Sequence, residues 1–497
     1  MKIVATAAAL LVAFAAQAFA QDAPKQPRNN DRGPGVLSLL PKDAMTEHTL
    51  TTPNGALAYT TTAGTLDLFD QSGERSAAIF YTAYVVKPKA GEKRPLTFVF
   101  NGGPGAASAF LHLGLIGPRV ADFGPQAHDG AAAKLVDNPS SWLAYTDLVM
   151  IDPVGTGWSR AAKGDDAKNF QSVRGDAQSI AKAIALYVAH NDRGASPKFL
   201  LGESYGGFRA VKVARALQTD QGIVINGIVA VSPLLEGSLA FRGTRFPLGA
   251  ALQLPSLTAA ELERKKAFTR DALAAAEKFA MTEYLTTLAG PAPKGEAADK
   301  FYGRVAQMTG LPLDMVTRSR GFVADLYVKN SDVRQGNVVS PYDATFAVPD
   351  PFPEADSARN DDPVLDGYVR ALGGLFAGYA RNELGFKTEM TYTLLASDIS
   401  RHWDWEGADG SVGNASVSSD IRELLAINPS FKIAIANGLS DMVTPYGVSR
   451  YVVDHLPPLA DGRVTLMTYR GGHMFYLDPA SRQAFSKEIK TFYVGIE

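Results

Sequence analysis

A strand that is apolar at nearly every position must be covered on both faces, and this chain carries several such runs. Leu96-Thr-Phe-Val-Phe100, Leu148-Val-Met-Ile151, Phe199-Leu-Leu201 and Gly227-Ile-Val-Ala-Val231 each end at a turn bearing Gly or Pro. Ile433-Ala-Ile-Ala436 and Val464-Thr-Leu-Met-Thr468 follow near the C-terminus. Between the runs the period becomes helical. In Ser179-Ile-Ala-Lys-Ala-Ile-Ala-Leu-Tyr-Val188, the side chains of Ile180, Ile184, Tyr187 and Val188 share one face. Strand alternating with helix predicts an α/β fold with a mostly parallel central sheet and helices on both faces. Upstream, Thr49-Leu-Thr-Thr, Leu57-Ala-Tyr-Thr-Thr-Thr and residues 77–86 are separated by Pro-Asn-Gly and Gln-Ser-Gly-Glu turns. They predict an antiparallel N-terminal sheet.

The rhythm breaks between about residues 236 and 425. Thr258-Ala-Ala-Glu-Leu-Glu-Arg-Lys-Lys-Ala-Phe reads as a helix opening with a Thr-x-x-Glu capping box. Further helical stretches are expected around 271–288, 301–308 and 363–380, with Pro-rich loops such as Ala347-Val-Pro-Asp-Pro-Phe-Pro353 between them. The expected organisation is a core in two parts, 45–235 and 426–497, with a helical cap inserted at 236–425. An unrelated second domain is the alternative. Residues 1–20 read as a secretory signal. Lys2 supplies its positive end, the apolar stretch runs from Ile3 to about Phe14, and Ala18-Phe-Ala20 is a small-x-small cleavage site. That stretch is shorter than the roughly 20 residues a membrane span needs, so no integral span is expected in the mature chain. The form of the signal suggests a bacterial export route, to the periplasm or the medium. Residues 21–44, polar and rich in Pro, Asn and Asp, read as a flexible leader.

A formal net charge of −2 gives no electrostatic case for nucleic acid or an anionic membrane. The chain has no cysteine, which excludes disulfides, thiolate nucleophiles and thiolate metal sites. No His-Glu-x-x-His spacing is present and no metal or other cofactor is expected.

The chemistry centres on Lys198-Phe-Leu-Leu-Gly-Glu-Ser204-Tyr-Gly-Gly207, followed at once by the helical Phe208–Leu217 stretch. Strand, Gly-x-Ser-x-Gly turn, helix is the context of a nucleophile elbow, which exposes Ser204 on a strained backbone. An ordinary Gly-rich turn is the plain alternative. A nucleophilic serine needs a base, and the base an orienting acid. Of the seven histidines only His455 and His473 lie beyond the insertion. His473 sits in a Gly-Gly loop just past an apolar run, whereas His455 lies in a helical pattern, so His473 is the expected base. Asp441 follows the run ending at Ala436 through Asn437-Gly-Leu-Ser440 and is the expected acid. Asp454 and Asp461 lack that placement. Asn101-Gly-Gly-Pro-Gly105, after the run ending at Phe100, leaves backbone N–H groups exposed. The N–H groups of Gly103 and Tyr205 are the expected oxyanion donors. Trp403 and Trp405 either line a pocket or pack the insertion, and Asp152 is read as shaping a turn.

Taken together, Asn101-Gly-Gly-Pro-Gly, Asp152-Pro-Val-Gly-Thr-Gly-Trp-Ser159, Gly202-Glu-Ser-Tyr-Gly206, Asn437-Gly-Leu-Ser-Asp441 and Gly472-His-Met474 resemble the ordered blocks of the serine carboxypeptidase family. The resemblance runs from about residue 75 to the C-terminus. It implies an α/β-hydrolase fold, the triad Ser204, Asp441 and His473, and an oxyanion hole from Gly103 and Tyr205. It also implies a site for the substrate's terminal carboxylate at the side chains of Asn101 and Glu203, with peptides as substrates. A protonated Glu203 could donate a hydrogen bond to that carboxylate. Three positions depart from the family pattern. Ala106 stands where many members have Cys, Val99 where a Trp often precedes the Asn, and Leu115 where many members place a second acid. The last two weaken the expectation of free C-terminus recognition. An esterase or acyltransferase on the same scaffold, and a binding protein that kept the fold, are the competing readings. The oligomeric state is not legible.

Overall fold

The computed structural model describes residues 35–88, 93–124, 129–241, 243, 245–358, 362, 364–406 and 410–493. The signal reading at 1–20 and most of the leader lie outside these residues. Val36–Leu39, within the stretch read as leader, is a 3-10 turn with Leu37 buried.

The sheet begins with three antiparallel strands, β1 (Ala44–Thr52), β2 (Gly55–Phe69) and β3 (Arg75–Val85). The parallel part uses β4 (Leu96–Phe100), β5 (Asp147–Ile151), β6 (Lys198–Glu203), β7 (Gly227–Val231), β8 (Lys432–Gly438) and β9 (Val464–Tyr469). Their spatial order is β1-β2-β3-β5-β4-β6-β7-β8-β9, with a two-residue strand at Arg160–Ala161 beside β3. Every residue of β4, β5, β6 and β7 is buried. Alternate side chains feed two separate core layers. Phe98, Leu200 and Ile228 enter one, while Val99, Leu201 and Val229 enter the other. Helices α1 (Val173–His190) and α2 (Tyr205–Gln221) cover the first layer, and the C-terminal helix Pro479–Tyr493 covers the second. All six parallel strands therefore present their C-terminal ends at one edge, where ligand sites of such sheets are built.

Between β7 and β8 the chain leaves the sheet for the insertion. Leu254, Leu257, Phe279, Tyr284, Phe301 and Tyr327 form a small core there, while Val364–Leu394 side chains join the second sheet layer. The expected capping box at Thr258 is not one. The apolar stretch before it carries helix α3 back to Pro247, whose fixed φ and missing N–H suit a first turn, so α3 spans Pro247–Arg264. Thr258 then lies buried in mid-helix and donates to the Leu254 carbonyl at 3.0 Å. The Pro-rich stretch read as a loop also contains a short strand, Ala347–Pro349, paired with Asn337–Val339.

Candidate active site

The first feature at the sheet edge is the elbow. Glu203 ends β6, Tyr205 opens α2, and Ser204 between them has φ 60° and ψ −126°. A non-glycine residue held there is strained, and the surroundings over-determine it. The Ser204 N–H donates to Val231 O at 2.9 Å, and its carbonyl accepts from Gly207 and Leu234. A Cβ on Gly202 would lie 1.9 Å from the Gly206 carbonyl oxygen, so this turn closes only around glycine. As the first residue of a helix, Tyr205 has an N–H with no intrahelical acceptor, at the positive end of the helix dipole.

The Asn101–Gly105 loop lies against that turn. A Cβ on Gly102 would be 2.5 Å from the Tyr205 nitrogen, which measures how closely the two backbones approach. Two buried groups hold the loop. Arg209 of α2 donates to the Asn101 carbonyl and pairs with Asp176 of α1 at 2.6 Å, with both side chains almost fully buried. Asp152 accepts from both the N–H and the hydroxyl of Ser108, at 2.8 and 2.7 Å. Asp152 thus ties the strand-end turn to Ser108, three residues past the Asn101–Gly105 loop, a role wider than shaping its own turn.

The expected acid and base are in contact. His473 Nδ1 lies 2.8 Å from Asp441 Oδ2. Asp441 Oδ2 also accepts from the Thr444 hydroxyl, and Oδ1 accepts from the Val443 and Thr444 N–H groups. Both residues are buried. Burial pushes the His473 pKa down, but the charge and hydrogen bond of Asp441, with the charge of Glu203, outweigh it. The imidazole ends above its ordinary value. A histidine held this way is oriented by its acid and stabilised when it takes a proton. His455, by contrast, lies exposed at the end of a helix, stacked on Tyr451.

Asn101 and Glu203 also meet. The Asn101 amide donates to Glu203 Oε2, and Asn101 Oδ1 accepts from the Leu111 N–H. Glu203 Oε1 accepts from Tyr476 at 2.6 Å. Burial is the largest influence on Glu203 and, against the lowering effects of His473, Tyr476 and Asn101, pushes its carboxyl up to about 7. The sequence reading missed Tyr476. It stands three residues after His473, yet nothing local marks its hydroxyl as reaching Glu203. Val99 and Leu115, the two departures beside this pair, are both buried in the second core layer.

Ser204, His473, Asn101, Glu203, Gly103 and Tyr205 line one cavity of about 130 Å³. Most of its remaining wall is apolar: Phe110 and Leu234 come from the core, and Tyr342, Leu365 and Trp405 from the insertion. Trp403 and Trp405 both pack edge-on against the Tyr205 ring, at 5.3 and 5.4 Å between centroids. Of the pair, Trp405 reaches the cavity. Among the described residues no cluster of three or more His, Cys, Asp or Glu could hold a metal ion.

Residues 55–236 match the family described as serine carboxypeptidase. Two proteins of Arabidopsis thaliana, serine carboxypeptidase-like 41 and serine carboxypeptidase-like 44, are 30% and 29% identical over 185 and 192 residues. The matched stretches cover 35% and 36% of this chain, and only 36% and 37% of those relatives. The family match contains the Asn101–Gly105 loop and the elbow and ends before Asp441 and His473. Among solved structures, Kex1(delta)p, a prohormone-processing carboxypeptidase from Saccharomyces cerevisiae, superposes with a TM-score of 0.52 at 16% identity. That superposition covers 92% of this chain and 95% of that one. At that identity the likeness shows the fold, which is the α/β-hydrolase fold.

Proposed function

We propose that this chain is an exported serine carboxypeptidase that hydrolyses C-terminal peptide bonds through Ser204, His473 and Asp441. The observation that carries the reading is the buried His473–Asp441 pair opening onto the same cavity as a serine in an elbow conformation. In this reading Ser204 Oγ attacks the terminal peptide carbonyl while His473 Nε2 takes the hydroxyl proton. The developing oxyanion accepts from the N–H groups of Gly103 and Tyr205, each typically contributing ~2.7–4 kcal/mol. His473 returns the proton to the leaving amine, which departs as a free amino acid and leaves an acyl ester on Ser204. A water deprotonated by His473 then attacks the ester, and the proton goes back to Ser204 as the shortened peptide leaves.

Asn101 and Glu203 receive the substrate's terminal carboxylate. A protonated Glu203 donates to it, and burial keeps that form accessible up to near-neutral pH. Export rests on Lys2, the apolar stretch after it and Ala18-Phe-Ala20, which also suggest a bacterial periplasm or medium. The match of residues 55–236 supports peptides as substrates.

One observation favours a second reading, an esterase or acyltransferase. Both Glu203 oxygens already accept from within the protein, and no Lys or Arg is among the described residues lining the cavity. A fluorophosphonate probe tests the step that both readings share. Labelling of the wild type, absent in Ser204→Ala, is expected; no labelling of the wild type would point to a protein that binds without turnover. Release of terminal amino acids from unblocked peptides then favours the carboxypeptidase, and turnover confined to acyl esters favours the second reading.

A further inference from the structure

The insertion does more than wall the cavity. Its segment Ser340-Pro-Tyr-Asp-Ala344 is hydrogen-bonded to both loops that carry the acid and the base. The N–H of Met442, next to Asp441, donates to Pro341 O, and the N–H of His473 itself donates to Tyr342 O. Ala344 N–H donates to Ser440 O. The Asp343 carboxylate completes the set. Oδ1 accepts from the Ser440 hydroxyl at 2.8 Å, one residue before the acid. Oδ2 accepts from the Gly472 N–H at 3.0 Å, one residue before the base. A Cβ on Gly472 would lie 2.0 Å from Tyr342 O and 2.4 Å from Asp343 Cα, so the contact leaves no room for a side chain. The segment is itself pinned, because the Ser340 hydroxyl accepts from the N–H groups of Tyr342 and Asp343 while donating to Asp362.

Asp343 adds to other links between these loops: the Ser440 N–H donates to Gly471 O at 3.0 Å, and Ser232 donates to His473 O while its carbonyl accepts from the Thr444 hydroxyl. They hang from different strands, β8 and β9, and the Asp343 carboxylate grips each loop one residue before the acid or the base. A carboxylate with one oxygen on each loop is a spacer of fixed width. We propose that Asp343 is a positioning residue that sets the distance between the Asp441 and His473 loops, so that the insertion forms part of the catalytic apparatus. The proposal rests on the triad reading above.

The test compares the full chain with Asp343→Asn, Ser440→Ala and the double variant. It reads the rate of fluorophosphonate labelling at Ser204 across pH, and kcat and KM on one peptide. An amide at 343 cannot accept on both sides. Loosening is expected to slow Asp343→Asn on the order of 10- to 100-fold, since a misplacement near 1 Å can cost about 100-fold. The loss is expected in kcat with KM nearly unchanged. The labelling midpoint should move to lower pH, because His473 loses the Asp441 contact that opposes burial. Asp441, Glu203 and the Tyr342 phenol are the groups that face it, and none of them is altered. Ser440→Ala should lose less, and the double variant no more than Asp343→Asn alone. A folded Asp343→Asn with wild-type rate and midpoint overturns the proposal, as do losses that simply add. If Asp343→Asn does not fold, a wild-type rate and midpoint in Ser440→Ala overturns it instead. A wild type that never labels would refute the triad reading rather than the spacer.

Discussion

Two buried carboxyl groups serve the loops around Ser204, and they are held in different ways. Asp441 is fully buried and Glu203 is 3% exposed, so burial alone does not separate them. The donors do. Asp441 accepts from two backbone N–H groups, a threonine hydroxyl and an imidazole. Glu203 accepts from one amide and one phenol. Asp441 faces a group that can become a cation, and its charge lifts His473. Glu203 accepts hydrogen bonds from neutral donors only, and burial, against the opposing charge of His473, lifts its own carboxyl to about 7. The same functional group is thus set among four donors on one side and lifted by burial on the other.

Exchanging each carboxyl for its amide should expose that difference. Asp441→Asn places a donor opposite His473 Nδ1 and favours the wrong tautomer. A fall in kcat of about 10⁴-fold is expected, with the pH midpoint of the remaining activity moved lower, because the charge that lifts His473 against burial is gone. Glu203→Gln should cost far less at low pH, about 10-fold, and instead remove the pH dependence of the preference for free C-termini. Equal losses in the two variants would break the comparison.

Stability supplies a second reading of the same contrast. Between pH about 4.5 and about 7 the folded Glu203 keeps a proton that the unfolded chain has released. The native state then binds more protons, so stability falls as pH rises through that window. His473, also raised on folding, contributes in the same direction above its ordinary value. Thermal melts of Glu203→Gln should show a flatter dependence on pH over this range than the wild type. Tyr476→Phe should have the smallest effect. Removing one donor to the charged form raises Glu203 further, moving the limb for free-carboxylate peptides up by about one pH unit. A limb that stays in place would mean the phenol does not act on Glu203.

The sheet was legible because its parallel strands are buried on both faces and interrupted by Gly and Pro, which writes each strand as a short apolar block. Ser204, Asp441 and His473 were legible because each follows such a block in a glycine-bearing loop. What escaped detection depends on long-range partners. Tyr476 and Glu203 are 273 residues apart in the chain, and Leu115 shows only that it cannot hydrogen-bond, not which residue does. Asp343 lies in the insertion, in the connection between the short paired strands Asn337–Val339 and Ala347–Pro349, and nothing local there marks the distant loops its carboxylate reaches. Thr258 misled for a related reason: a four-residue capping pattern is weak beside an apolar stretch that carries the helix through it. Of the Trp403–Asp–Trp405 alternatives, the pocket reading holds for Trp405, which reaches the cavity, whereas both rings pack on Tyr205 in the first sheet layer rather than within the insertion's own core.

In the proposed function, Glu203 beside the elbow serine is the group that recognises a free C-terminus. The most direct test is the ratio of kcat/KM for one peptide with a free terminal carboxylate to that for its C-terminal amide, followed from pH 5 to pH 8. Taking the ratio cancels His473, which both substrates use. The account predicts a preference for the free acid of about 10- to 100-fold below pH 6, as for a hydrogen bond to a charged group, falling as pH passes about 7. A ratio near one at every pH, with the amide or an ester turned over as well as the acid, would contradict it.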